Sequence, residues 1–166
     1  MPFTDDKSAL CLWFDGQAEE AARFYADVFP DTQILQVQPS EHDWPGGQAG
    51  DTLIVTFTLL GRSALALNGG PGEPFTNAVS VQVFTDEQEE TDRYWSALIA
   101  DGGEEIMCSW CRDRFGLAWQ IVPRVLMAGQ LHDDADIRRR VNEAMFQMKN
   151  IDHAAIQAAM NGDRSG

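Results

Sequence analysis

Cysteine is scarce in this chain, with three in 166 residues. So low and odd a count builds no disulfide framework and fits a reducing compartment. Basic residues are scarce too: 12 Lys and Arg stand against 26 Asp and Glu, a formal net charge of -14. Binding nucleic acid requires clustered cations that displace counterions, and here the global sign is wrong. The same field opposes an anionic membrane surface. No apolar run approaches the roughly 18–20 residues that span a bilayer. The first ten residues carry Asp5, Asp6 and Lys7 ahead of a short apolar stretch, unlike a signal peptide. Histidine occurs singly at 42, 132 and 153, and no HExxH, P-loop or Ser-His-Asp arrangement is present. A cytoplasmic globule without nucleic-acid or membrane partners is expected. Its acidity lies on the body: residues 1–75 carry -8, 76–125 carry -5 and 126–166 only -1.

What the chain does have is an internal repeat. The segment from Trp13-Phe14 through Glu19-Glu20 to Phe24-Tyr25 recurs 70 residues later as Val83-Phe84, Glu89-Glu90 and Tyr94-Trp95. Each copy opens on a strand-like run, Ala9 to Phe14 and Ala78 to Phe84, and a helix follows. In the first helix Ala18, Ala21, Ala22, Tyr25, Val28 and Phe29 form an apolar stripe, ended by Pro30. In the second, Thr85-x-x-Gln88 reads as a capping box and Asp101-Gly102-Gly103 as the stop. Further strands are predicted over 33–38, 52–60 and 62–67, then over 104–110 and 117–122, with hairpin turns at Gly61-Arg62 and Arg114-Phe115-Gly116. Residues 39–50 form a Pro- and Gly-rich loop, either disordered or a cover over a site. Gly69-Gly70-Pro71-Gly72 reads as a linker. Past Pro123 the pattern turns helical, with Ile137, Val141, Ala144, Met145 and Met148 in register and a shorter helix over about 152–160. Three segments are expected: a first βαβββ module over 1–72, a second over 73–125 and a helical tail over 126–166.

The stretches LWFDGQAEEAARFYADVF (12–29), LALNGGP (65–71), DRFGLAWQIVP (113–123) and EAMFQMKNIDHAAIQAAM (143–160) resemble the vicinal oxygen chelate superfamily, the glyoxalase, bleomycin-resistance and dioxygenase group. Within it they resemble the PhnB-like, 3-demethylubiquinone 3-methyltransferase-like members. The resemblance implies an α+β fold of two tandem βαβββ modules forming a U-shaped sheet around a cleft, with C-terminal helices, in a homodimer. In metal-dependent relatives, the first and last strands of each module supply four His, Glu or Gln ligands. The corresponding positions here are about Leu10, Leu65, Ser80 and Gln120. Two leucines cannot ligate, and a lone amide is a weak ligand for a divalent transition metal. No metal and no cofactor are therefore expected. The methyltransferase name finds no support either, because no G-x-G leads from a strand into a helix.

Alternation along the strands gives the candidate cleft. If Val79, Val81 and Val83 pack on the helices, Ser80, Gln82 and Phe84 line the concave side, and through the 70-residue offset so do Leu10, Leu12 and Phe14. The last strand adds Gln120 with Ala118 and Val122, or else Trp119 and Ile121. Leu65 and Asn68 complete the wall. Such a lining suits a small, mostly apolar molecule oriented by a few amides. His42, in the cover loop, is the one candidate general base, and a solvated loop histidine is its simpler explanation. Arg112, Asp113 and Arg114 form a charged turn in which an arginine could hold a carboxylate. Cys108 and Cys111 form a CxxC on a predicted strand, where alternation points them to opposite faces and no helix N-terminus supports a redox thiolate. The expected function is binding of an unidentified small organic ligand in a metal-free cleft. The alternatives are a metal-dependent enzyme whose ligands have moved to His42 and Glu41, a methyltransferase-like activity, and a partner-binding dimer joined through Met145, Met148 and Met160.

Overall fold

A computed structural model describes residues 6–162. Met1–Asp5 of the N-terminal segment judged unlike a signal peptide lie outside the described residues. The chain divides into two units, Met1–Phe75 and Thr76–Gly166. No helix among the described residues is long and apolar enough to cross a membrane.

The first unit is β1 (Leu10–Phe14), α1 (Ala18–Val28), β2 (Gln33–Pro39), β3 (Thr52–Leu59) and β4 (Arg62–Asn68). Its sheet has the order β1-β4-β3-β2, with β1 parallel to β4 and the other pairs antiparallel. Leu60 and Gly61 both take positive φ, forming the two-residue turn that suits the twist of a hairpin between β3 and β4. One face of α1 is small (Ala18, Ala21, Ala22), so the helix settles close to the sheet, and Tyr25 stacks on Phe57 at 6.4 Å between centroids. Asn68, at the end of β4, holds these parts together. Its Oδ1 accepts from the N–H of Ala18 (2.9 Å), the first residue of α1. Its Nδ2 donates to the carbonyl of Thr52 (2.8 Å), the first residue of β3.

The loop over 39–50 is ordered, and Pro39 belongs to β2. Trp44 bridges to Gly47 and donates its indole N–H to the carbonyl of Asn68 (2.6 Å). Gly46 lies against Gly70, where a Cβ would meet backbone. Trp13 donates to the carbonyl of Gly70 (2.8 Å) and its ring occupies the space of a Gly69 side chain. The Gly69-Gly70 pair is thus clamped by two tryptophans, and Phe75 still packs edge-on against Phe14.

The second unit repeats the plan with β5 (Ser80–Thr85), α2 (Gln88–Ile99), β6 (Glu104–Glu105), β7 (Trp110–Arg112) and β8 (Ala118–Pro123), in the order β5-β8-β7-β6. The capping box expected at Thr85 does not form. Thr85 still belongs to β5 and points at the helix, where its hydroxyl meets that of Thr91 (2.6 Å), and Glu87 is the N-cap residue. The single strand expected over 104–110 is a tight hairpin instead. Cys108 and Ser109 both take positive φ, and the N–H of Trp110 returns to the carbonyl of Met107 (3.3 Å). Val79, expected to pack on the helix, is exposed just ahead of β5.

Three helices close this unit: α3 (Arg124–Gln130), α4 (Ala135–Met145, capped by Asp134) and α5 (His153–Asn161, capped by Asp152). Leu126, Val141, Met145, Ile151 and Ile156 bury against Val122 of β8, with Met148 and Met160 packed on the same cluster. The N–H groups of Cys108 and Ser109 donate to the carbonyls of Met148 (2.8 Å) and Lys149 (2.9 Å). His153 Nε2 lies 2.8 Å from Thr91 Oγ1, and Gln88 bonds Ile151 and His153 main chain. The tail is thereby sewn to both the hairpin and α2.

Replacing Asn68 with Leu strands a buried N–H and a partly buried carbonyl at once. Urea denaturation of Asn68→Leu should show a loss of about 2–4 kcal/mol of stability, at about 1–3 kcal/mol per orphaned group.

Candidate functional site

Cross-strand partners share a face, so the register sorts each sheet. In the second unit Thr85 and Trp119 mark the face under α2, because Thr85 bonds Thr91 and Trp119 is fully buried beside Cys111. Val83 and Ile121 share that face. The other face carries Ser80, Gln82 and Phe84 of β5, Ala118, Gln120 and Val122 of β8, and Trp110 and Arg112 of β7. Ala118 and Val122 are buried, Val122 beneath the tail helices, and the rest of the face is open. The parity left open for β8 is therefore the one that turns Gln120 outward.

Three neutral polar side chains on this open face are joined. Gln120 Nε2 donates to Ser80 Oγ (2.8 Å), and Gln120 Oε1 accepts from Gln82 Nε2 (3.3 Å). Phe84, 41% exposed, lies beside them on the strand, with the guanidinium of Arg124 5.4 Å from its ring centroid. Half-buried Trp110 pairs directly with Gln120. Both arginines are already occupied: Arg112 donates to Glu104 (2.7 Å) and to Asn77 Oδ1 (3.0 Å), and Arg124 pairs with Asp86 (3.0 Å). Asp113 turns inward, accepting from the N–H groups of Phe115 (2.9 Å) and Leu117 (3.1 Å) and from Trp119 Nε1 (2.8 Å). It shapes the turn and is not available to a ligand. Nothing in the local sequence marks Asp113 as buried; only the nearby Trp119 needs such an acceptor.

The first unit departs from expectation. Leu10, Leu12 and Phe14 pair with Ala64, Ala66 and Asn68, and Asn68 reaches the start of α1, so this is the helix face. Leu12 and Phe14 are buried there. The open face carries Cys11 and Trp13 instead, beside Leu65 and Leu67. The cause is one residue in a turn. The helices match at a spacing of 70 (Ala21 with Thr91, Tyr25 with Trp95), but the strands match at 71 (Leu12 with Val83, Phe14 with Thr85). Three residues, Asp15-Gly16-Gln17, join β1 to α1, whereas Asp86-Glu87 suffice between β5 and α2. Gly16, at φ 87, absorbs the extra residue. A slip of one residue exchanges the two faces of a strand. Leu65 does lie on the open face. Asn68 does not, being 4% exposed with both its amide atoms committed to the fold.

His42 is exposed, and its carbonyl accepts from Ser40 Oγ (2.6 Å). Among the described residues, no three of His, Cys, Asp or Glu gather in a group that could hold a metal ion. Cys11 and Leu65 on the first unit's open face, and Ser80, Gln82 and Gln120 on the second's, form in neither unit a donor set for a catalytic divalent metal. An S-adenosylmethionine site fits no better. Neither strand-to-helix turn is glycine-rich, and the first N–H of α1 is taken by Asn68. The alternation expected to separate Cys108 from Cys111 does not apply, since Cys108 sits in the hairpin turn. All three cysteines are free. Burial, aided by the charge of Asp113, pushes the Cys111 thiol up to about 12.

Residues 6–122 match the family model described as 3-demethylubiquinone-9 3-methyltransferase. The chain belongs to that family. It is a PhnB-like member of the vicinal oxygen chelate superfamily. Among solved structures, a PhnB protein from Bacillus cereus, named for a presumed 3-demethylubiquinone-9 3-methyltransferase activity, is 28% identical. That match covers 71% of this chain and 99% of the Bacillus protein, with a TM-score of 0.64. Protein PA1353 from Pseudomonas aeruginosa shares the fold at 20% identity, covering 71% of this chain and 97% of its own, with a TM-score of 0.58. A glyoxalase/bleomycin resistance protein from Albidiferax ferrireducens T118 aligns at 16% identity over 70% of this chain and 97% of its own, with a TM-score of 0.46. No curated protein matches the chain.

The Cys111 thiol sets a pH dependence. Its ordinary value is 9.0 and its folded value about 12, so the unfolded chain releases this proton first. The associated stability is intact below about pH 9 and falls as pH rises toward 12, by an amount on the order of 4 kcal/mol at full titration. Urea unfolding of Cys111→Ala across this range should show a flatter alkaline decline than the parent protein.

Proposed function

We propose that this PhnB-like protein binds a small, mostly apolar organic molecule, gripped by shape and neutral hydrogen bonds and without a metal, on the open face of the second unit's sheet. The observation that carries this reading is the Ser80–Gln120–Gln82 chain beside exposed Phe84 and half-buried Trp110. Gln120 spends one N–H and its carbonyl on its neighbours, which fixes the direction of the amide. The Ser80 O–H remains to donate and Gln82 Oε1 to accept. A neutral ligand with an acceptor and a donor at matching separation answers both groups, while its ring or chain rests on the aromatic side chains. A charged ligand would lose its hydration for no countercharge, because Arg112 is already paired with Glu104. The protein works in the cytoplasm, as a homodimer. For the methyltransferase activity in the family's description, neither strand-to-helix turn among the described residues offers a glycine-rich helix start to hold its cofactor.

Benzamide, which offers an adjacent donor and acceptor on a ring, is the neutral probe, with benzoate as its charged counterpart. Amide-resolved NMR titration should give saturable benzamide shifts at residues 80–84, 110 and 120. Gln120→Leu and Gln82→Leu should each weaken binding by about tenfold, the worth of one hydrogen bond near 1.4 kcal/mol. Benzamide shifts absent from this face, binding that requires added zinc or manganese, or calorimetric binding of S-adenosylmethionine would each overturn the reading.

A further inference from the structure

A second site, independent of the face just described, lies in the first unit. That unit is acidic, and only three cations, Lys7, Arg23 and Arg62, stand in residues 1–75. Arg23 is bonded to Glu19, one turn away on α1. Lys7 and Arg62 have no carboxylate partner among the described residues. Both line the same cavity, of about 510 Å³, where the segment leading into β1 runs beside the turn between β3 and β4. With 11 acidic residues in the same stretch of sequence, unpaired cations are not what composition alone would leave at one hollow.

The rest of the wall narrows the chemistry. Among the described residues Asp6 is the one acid lining the cavity, and its Oδ2 accepts from the buried Ser63 hydroxyl (2.6 Å). Among the same residues, two cations against one carboxylate leave a local charge of +1. Ala9 and Leu10 add an apolar side, with the Ser8 hydroxyl close by. A guanidinium offers paired donors that match a carboxylate, and an ammonium adds a point charge.

We propose that this cavity binds a small organic monocarboxylate, its carboxylate held by Arg62 and Lys7 and its short carbon chain on Ala9 and Leu10. A single negative charge matches the site. A phosphate dianion would meet the Asp6 carboxylate and the field of a chain carrying -14.

The probe is sodium propionate, titrated into the full-length isotope-labelled protein at constant ionic strength, so that screening does not change. Saturable shifts are expected at the amides of residues 7–10 and 61–63. Arg62→Gln and Lys7→Gln should each weaken binding by about tenfold. Arg62→Lys keeps the charge and should retain part of it, which guards against a variant that merely misfolds. Asp6→Asn should tighten it. Shifts that stay linear beyond about 10 mM, corresponding to less than 3 kcal/mol, would overturn the proposal. So would equal shifts from neutral propionamide, or tighter binding of inorganic phosphate. These amides are distinct from those that report benzamide, so one spectrum tells the failure of either reading from that of the other.

Discussion

In both units the first strand is hydrogen-bonded in parallel to the last, and the helix between them crosses one side of the sheet. Paired residues on such a ladder cannot choose their faces separately. Once Phe14 lies beside Asn68, or Thr85 beside Pro123, the facing of every other residue on those strands follows. The helix then takes one face for core, and what remains is the surface on which any chemistry must be built. In the first unit that remainder is a thiol, an indole and two leucines, with Ile54 and Thr56 of β3 beside them. In the second it is a serine, two glutamines, aromatic rings and an arginine already paired with Glu104. Neither collection has a free charge on it, and this limits what the two sheets can do more firmly than any single residue.

The family description names a methyl transfer, whereas the second unit's open face carries neutral hydrogen-bonding groups beside aromatic rings. The two statements operate at different levels. The family assignment rests on a pattern spread over residues 6–122, much of it the sheet ladders and helix stripes that any member must keep in order to fold. The open faces are a small part of that pattern. A chain can share the frame with its relatives while its outward side chains follow a separate history.

Much of the frame was legible in the sequence because it is periodic. The alanine stripe of α1, the alternating valines of β5 and the methionine-bearing tail announce themselves at fixed intervals. The outward placing of Ser80, Gln82 and Phe84 follows from alternation within one module, whereas that of Gln120 is decided only by the pairing of β8 with β5. Its transfer to Leu10, Leu12 and Phe14 failed, because a gapless repeat in sequence conceals one extra residue in a turn, and parity does not survive such a slip. Asn68 was misplaced for a different reason. Its chemistry is the same whether it faces a ligand or a helix terminus, and only the arrival of Ala18 and Thr52 decides between them. The hairpin at Cys108-Ser109 was missed because neither residue is a usual occupant of positive φ, and their cost of about 1 kcal/mol or more apiece is offset by tertiary bonds that no local pattern shows.

Those bonds run from main chain to main chain. The N–H groups of Cys108 and Ser109 reach carbonyls at Met148 and Lys149, so the join reads the path of the polypeptide and ignores what hangs from it. Those two main-chain bonds would survive a change of side chain at 148 or 149, although Met148 also packs in the tail cluster and Lys149 also pairs with Glu105. Drift in this stretch would leave the seam intact, and a scarcity of identical residues there should not be mistaken for a loose end.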